Sequence, residues 1–191
     1  QLTMTTCAAG EALGTRLRIE GGQIVQREGH GRSQGTTVMV ENLFYNMPAR
    51  RKFLRMAATE ASQITDLVTS YALAYPELRF TLINDGRLTL QTLGTGDLGD
   101  VLLKTHGLQI VPKMVAFRKV DEAFAISGYV SMPSLHRANR QGILFFVNRR
   151  WVQDHTLTYA VEEAYHDLIP ARRHPLAVID IRLDPAEVDV N

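Results

Sequence analysis

Gly35-Thr36-Thr37-Val38-Met39-Val40-Glu41-Asn42-Leu43-Phe44-Tyr45-Asn46-Met47-Pro48-Ala49-Arg50-Arg51-Lys52-Phe53-Leu54 is the stretch around which the chain is organised. Thr36, Val38, Val40 and Asn42 alternate with Thr37, Met39, Glu41 and Leu43, and β-branched types dominate, so the first half predicts a strand. Asn46-Met47-Pro48 ends it, because proline donates no ladder hydrogen bond and disfavours helix in the residue before it. Four cations follow (Arg50, Arg51, Lys52 and Arg55), with Phe53 and Leu54 set among them. A strand running through a proline turn into a basic, aromatic segment suits a functional loop better than a plain connection.

On the N-terminal side, Leu2 to Cys7 alternates apolar residues with threonine and predicts a strand. Thr15 to Glu20 predicts a second, and Gly21-Gly22 a tight hairpin into Gln23 to Glu28. Gly10 to Gly14 reads as a turn. On the C-terminal side, Thr59 or Glu60 opens a helix whose stripe is Ile64, Leu67, Val68, Tyr71, Ala72 and Tyr75, read as core packing, with Pro76 as its end. Asn84-Asp85-Gly86 joins two strands, Arg79 to Ile83 and Arg87 to Leu93. Gly94-Thr95-Gly96 marks a domain boundary.

Beyond it, Asp97 caps a short helix that stops at Gly107, with Asp100 at capping-box spacing. Val115 to Phe117 and Ala123 to Met132 read as strands, the second bent at Gly128. Gly142 to Val147 is an almost unbroken apolar strand, hence one buried on both faces. Asn148-Arg149-Arg150-Trp151 leaves that strand, and Asp154 caps a helix with Leu157, Ala160, Val161, Ala164, Tyr165 and Leu168 as its buried stripe. Pro170 is its expected end. Leu176 to Leu183 is the last strand, so the chain closes on a βαβ unit.

The 191 residues suffice for one large or two small domains with a real core, and 45% hydrophobic with 21% charged residues is ordinary for a globular protein. No apolar run is long enough to span a membrane and no signal-peptide pattern opens the chain, which points to the cytoplasm. Cys7 stands alone, which excludes an internal disulfide framework or thiolate cage; it reads as a small core residue of the first strand. The six histidines (His30, His106, His136, His155, His166, His174) have no metal-ligand spacing.

Net charge is only +1, but its distribution is uneven. No acid interrupts the window between Glu41 and Glu60, or the one between Glu122 and Asp154, which holds Arg137, Arg140, Arg149 and Arg150. Two such windows mark local positive patches. Two readings of Arg149 and Arg150 stand side by side. They contact nucleic-acid phosphates, or they pair with Asp154, Glu162 or Glu163.

The organising stretch resembles the MutL family of DNA mismatch-repair proteins, whose ATPase region carries G-T-x-V followed by L-F-Y-N-x-P-A-R-x-K-F-L. Asp184-Pro185-Ala186-Glu187-Val188-Asp189-Val190-Asn191 resembles that family's D-P-x-x-V-D-V-N-V-H-P-x-K. The resemblance implies an α+β fold. Residues 1–94 would be the C-terminal part of a GHKL (Bergerat) ATPase domain, the sheet-and-helix layer shared with gyrase and histidine kinases. Residues 95–191 would be a transducer domain, ribosomal-protein-like and containing the βαβ unit. Another GHKL enzyme, such as a type II topoisomerase, would share this architecture, and a non-enzymatic binding module is a third reading. The L-F-Y-N-x-P-A-R-x-K-F-L match speaks against the second.

The same resemblance implies a function: an ATP-switched dimer that binds DNA and couples mismatch recognition to repair. It implies ATP and magnesium as cofactors of the full-length protein. Its implied partners are DNA, a second copy or a related paralogue, a mismatch-recognition protein, and a downstream nuclease or helicase. The compartment is the cytoplasm, or the nucleus in a eukaryote. Gly35, Thr36 and Thr37 are assigned to nucleotide binding, and Arg137, Arg140, Arg149, Arg150 and His155 to DNA. The family's catalytic glutamate, magnesium-binding asparagine, D-x-G-x-G turn and glycine-rich lid do not occur here in context. No catalytic or metal-binding residue is therefore assigned, no tightly bound cofactor is expected, and this chain itself is expected to lack ATPase activity. Residues 153 and 155 are Gln and His where family members can carry arginine.

Overall fold

The computed structural model describes residues 1–188; Asp189, Val190 and Asn191, the end of the second family-like segment, lie outside them. The chain divides into two compact units, 1–60 and 61–191.

In the first unit, β1 (Leu2–Cys7), β2 (Gly14–Glu20), β3 (Gln23–His30) and β4 (Gly35–Val40) form an antiparallel sheet in the order β3-β2-β1-β4. Gly21 and Gly22 both take positive φ (55° and 88°) between β2 and β3, as a tight hairpin requires. β1 pairs with β4 so that Leu2 faces Val40, Met4 faces Val38 and Thr6 faces Thr36. Because directly opposed residues share a face, these six line one side, together with Leu17 and Ile19 of β2. Val38 is 55% exposed on that side.

The organising strand ends at Val40, three residues before the alternation does. Asn42 (φ 51°) and Phe44 (φ 60°) sit in the left-handed region, so the backbone has already turned before Pro48. A bulky aromatic is strained there. α1 (Pro48–Arg51) is a single turn with proline at its start, where the missing N–H costs nothing. Phe53 is 83% exposed, so it does not anchor the basic segment.

α2 (Ala57–Ala74) carries the chain into the second unit. There follow β5 (Thr81–Asn84), β6 (Arg87–Gln91), α3 (Leu98–His106), β7 (Met114–Val120), β8 (Phe124–Ser131), β9 (His136–Arg137), β10 (Ile143–Val147), β11 (Arg150–Val152), α4 (His155–Ala164), β12 (His174–Pro175) and β13 (Ala177–Leu183). The main sheet has the order β11-β10-β13-β8-β7, and β10 and β13 are parallel, as a βαβ unit demands. Strand alternation sends Leu144, Phe146 and Val178 into a core with Ala72 and Leu73 of α2, Leu90 of β6, and Val101 and Leu102 of α3. Ile143, Phe145, Ala177 and Ile179 point the other way, onto Leu157 and Val161 of α4.

That shared core explains why compactness divides the chain at Glu60 and Ala61 and not at the Gly94–Gly96 segment. It also corrects the expected stripe of α2. Ala72, Leu73 and Ser70 are buried, whereas Ile64, Leu67 and Tyr71 are about half exposed. Ala72 and Leu73, with Val68 beside them, form the face that approaches the core, and Ile64, Leu67 and Tyr71 are turned away from it. α4 ends at Ala164, well before Pro170; Tyr165 is buried and donates its hydroxyl to the Ser131 carbonyl.

Two expected caps are present in modified form. Asp97 caps α3 by accepting from the Gly99 N–H (2.8 Å), and Gly107 stops it at φ 84°. Asp100 does not complete a capping box; it accepts from the Thr95 hydroxyl at 2.7 Å.

Candidate nucleotide and nucleic-acid sites

Asn148-Arg149 is the two-residue turn of the β10–β11 hairpin, with both residues at positive φ (47° and 69°). The sequence led from β10 straight to a helix; in the structure this hairpin intervenes, and α4 starts only after Asp154 caps Leu157 (2.8 Å). Asparagine tolerates the left-handed region, but arginine in the second turn position, where glycine is favoured, is strained.

Contacts hold Arg149 in place. Its guanidinium lies 5.3 Å from the ring centroid of Tyr75 and is hydrogen-bonded to the Glu77 carboxylate. Glu77 is held below its ordinary value by hydrogen bonding to its own backbone first and to Arg149 second. Arg149 is thus ion-paired, but to Glu77 and not to Asp154, Glu162 or Glu163, the partners expected from sequence. No motif marks Glu77, and Tyr75 reads only as part of the helix stripe; both are more than seventy residues away in the chain, and only the packing of α2 beside β10 brings them near.

Arg140 also has an acidic partner. It donates to both oxygens of Glu162 (2.7 and 3.1 Å), and His174 Nδ1 lies 2.5 Å from the same carboxylate. Glu162 is held below the usual carboxylate range, mainly by Arg140 and less by His174. The reason is topological. α4 runs antiparallel to β10, so its last turn returns to the end of the sheet where Arg140 sits, and Glu162 cannot reach Arg149 or Arg150.

The five candidate DNA residues are thus not one cluster. Arg137 and Arg140 precede β10 and Arg149 and Arg150 follow it, and the five residues of the strand (about 16 Å) lie between them. Arg137 is exposed on β9, and its charge reaches His106, whose imidazole is pushed down by burial first and by that charge second. Arg150 and His155 are exposed, and among the described residues neither has a side-chain hydrogen bond or ion pair.

In the first unit, Gly35 (φ 132°) opens β4 opposite Cys7. The Thr36 hydroxyl meets that of Thr6 at 2.8 Å on the apolar face, whereas Thr37 points to the other face and accepts from Arg32 (3.2 Å). The two hydroxyls are thus separated by the sheet. Thr36 can hydrogen-bond a base or a bridging water. Its face carries Leu2, Met4, Leu17, Ile19, Val38 and Val40 and no acid, so it offers neither a group to activate water nor a carboxylate for magnesium. These residues do not fit a complete ATP site. Among the described residues, no three His, Cys, Asp or Glu side chains converge as metal ligands, and no helix is long and apolar enough to cross a membrane.

Comparison with known proteins agrees with this architecture. Residues 102–191 match the family described as DNA mismatch repair protein, C-terminal domain. A DNA mismatch repair protein MutL from Streptococcus thermophilus is 44% identical over 190 residues, covering 100% of this chain. The chain spans about 29% of the length of that relative. Among solved structures, the ATPase domain of the mismatch repair endonuclease MutL from Aquifex aeolicus superposes with a TM-score of 0.76 at 26% identity, covering 100% of this chain and 69% of that one. The Aquifex aeolicus MutL ATPase domain complexed with ADP gives 0.73 at 27%, covering 97% and 68%.

Proposed function

Because the chain belongs to the MutL family of DNA mismatch repair proteins, we propose that it is the part in which the ATPase domain passes into the transducer, residues 1–94 and 95–191 respectively. The whole protein then works in mismatch repair as an ATP- and magnesium-dependent dimeric switch. It binds DNA and connects a mismatch-recognition protein to a downstream nuclease or helicase in the cytoplasm. The observation that carries this reading is that similarity to a mismatch repair protein runs along the entire chain at 44% identity.

Within this reading, Arg150 and Arg137 are the DNA contacts of the second unit, because their charges are free of acidic partners among the described residues. Arg149 and Arg140 act as braces. Thr36 serves the nucleotide only as one hydroxyl of a site completed by other parts of the protein.

A salt titration of duplex affinity in the full-length protein tests the assignment. Arg137→Glu with Arg150→Glu should weaken binding to all sequences alike and lower the magnitude of the log K versus log salt slope by roughly 1 to 2. Arg140→Gln should leave the slope unchanged. A slope unaffected by the first pair would place the DNA surface elsewhere.

A further inference from the structure

Between α2 and the β10–β11 hairpin lies a cleft of about 370 Å³, lined by Leu67, Tyr71, Tyr75, Arg149, Arg150 and Trp151. We propose that this cleft takes an unstacked base of single-stranded DNA, its ring against Tyr71 and Trp151 and its phosphate at Arg150. The proposal rests on the DNA-binding reading above and adds to it the cleft and the mode of contact.

Three observations converge on that ligand. Tyr71 and Trp151 are large aromatics left 53% and 41% exposed, and they face the cleft from a helix on one side and a hairpin on the other. Such π-surfaces accept any base, which is how single strands are held without sequence preference. Next, the charge beside them is positive. Arg150 has no side-chain hydrogen bond or ion pair among the described residues, and Glu77 is neutralised by Arg149. A phosphate therefore meets an uncompensated guanidinium at the cleft's edge.

Finally, the wall carrying Trp151 is rigid. Arg149 occupies a strained left-handed position and is clamped between Tyr75 and Glu77, which fixes the hairpin relative to α2. A preformed slot loses less entropy when a base enters it. A base pair inside a duplex cannot enter, since both of its faces are already stacked. An apolar peptide would cover the aromatics but leave Arg150 without an anionic partner.

Trp151 is the only tryptophan in the 191 residues, so its fluorescence reports directly on the cleft. The chain is titrated with oligo(dT), with an abasic phosphodiester strand of matched length, and with duplex. Oligo(dT) should quench Trp151 and the abasic strand should not. Tyr71→Leu should weaken oligo(dT) binding about five- to a hundredfold and leave duplex binding unchanged, while Tyr71→Phe should keep wild-type affinity.

Equal quenching by the abasic strand, or a Tyr71→Leu variant with wild-type oligo(dT) affinity, would overturn the proposal. So would quenching by an amphipathic Leu/Glu peptide with none by oligo(dT), which would make the cleft a peptide groove. Duplex binding that responds to Arg150→Glu while oligo(dT) leaves Trp151 unquenched would sink the base site and keep the DNA reading. Binding to no form of DNA would sink both.

Discussion

The Asn148 carboxamide grips the peptide of Leu183 from both sides. Its Nδ2 donates to the Leu183 carbonyl (3.0 Å) and its Oδ1 accepts from the Leu183 N–H (3.2 Å). The backbone N–H of Asn148 donates to Ile181 at 2.8 Å. One turn residue thus continues the β10–β13 ladder past the point where β10 has reversed, and it does so in a left-handed conformation that asparagine tolerates. Asn148→Ala should cost about 1–3 kcal/mol in denaturant unfolding, because two hydrogen bonds go and the backbone becomes strained. Asn148→Gly, which keeps the turn, should cost less. Equal costs would show that the carboxamide alone matters.

Gly128 sits in the middle of β8, opposite Ile179 on one side and Phe117 on the other, at φ 154°. A Cβ there would stand 1.9 Å from the Val178 carbonyl oxygen, an overlap with backbone that no rotamer can relieve. Gly128→Ala should lower stability by about 3 kcal/mol or more, measured by thermal or denaturant unfolding. A variant within 1 kcal/mol of wild type, on the scale of an ordinary surface change, would contradict this geometry.

Glu162 ties α4 to the segment before β10 through Arg140 and to β12 through His174. Its carboxyl is held below the ordinary value of 4.5, so the native state binds its proton less readily than the unfolded chain does. The stabilisation is therefore present above the unfolded value and is lost as pH falls through the folded one. Stability measured from pH 6 downward should fall more steeply in wild type than in Glu162→Gln, with the two curves converging in acid. Parallel curves would mean the pair contributes nothing.

The apolar face of the first sheet exposes Val38 and Val40 next to Leu2 and Met4. Contiguous apolar surface of this kind associates when nothing else covers it. The isolated chain should self-associate with rising concentration in sedimentation velocity, and Val38→Lys with Val40→Lys should restore a monomer. A wild-type monomer at high concentration would count against this.

Local chemistry was legible without coordinates. Gly21-Gly22 and Asp85-Gly86 dictated their hairpins because only certain residues reach positive φ. Asp97, Gly107 and Asp154 set helix ends because a side chain or a glycine must satisfy the terminal peptides there. The unbroken apolar run of β10 announced burial on both faces, and the family-like segments gave the fold class. Which arginine is free was decided only in three dimensions. Arg140, Arg149 and Arg150 are alike in sequence and share one acid-free window of the chain. Their partners depend on the antiparallel return of α4 and on α2 packing beside β10, both long-range. The same holds for α2 itself: its periodicity marks Ile64, Leu67, Val68, Tyr71, Ala72 and Tyr75 as one stripe, and the structure buries only part of it. Tertiary packing buries Ala72 and Leu73, because they face the core shared with β10 and α3, and leaves Leu67 and Tyr71 to line a cleft.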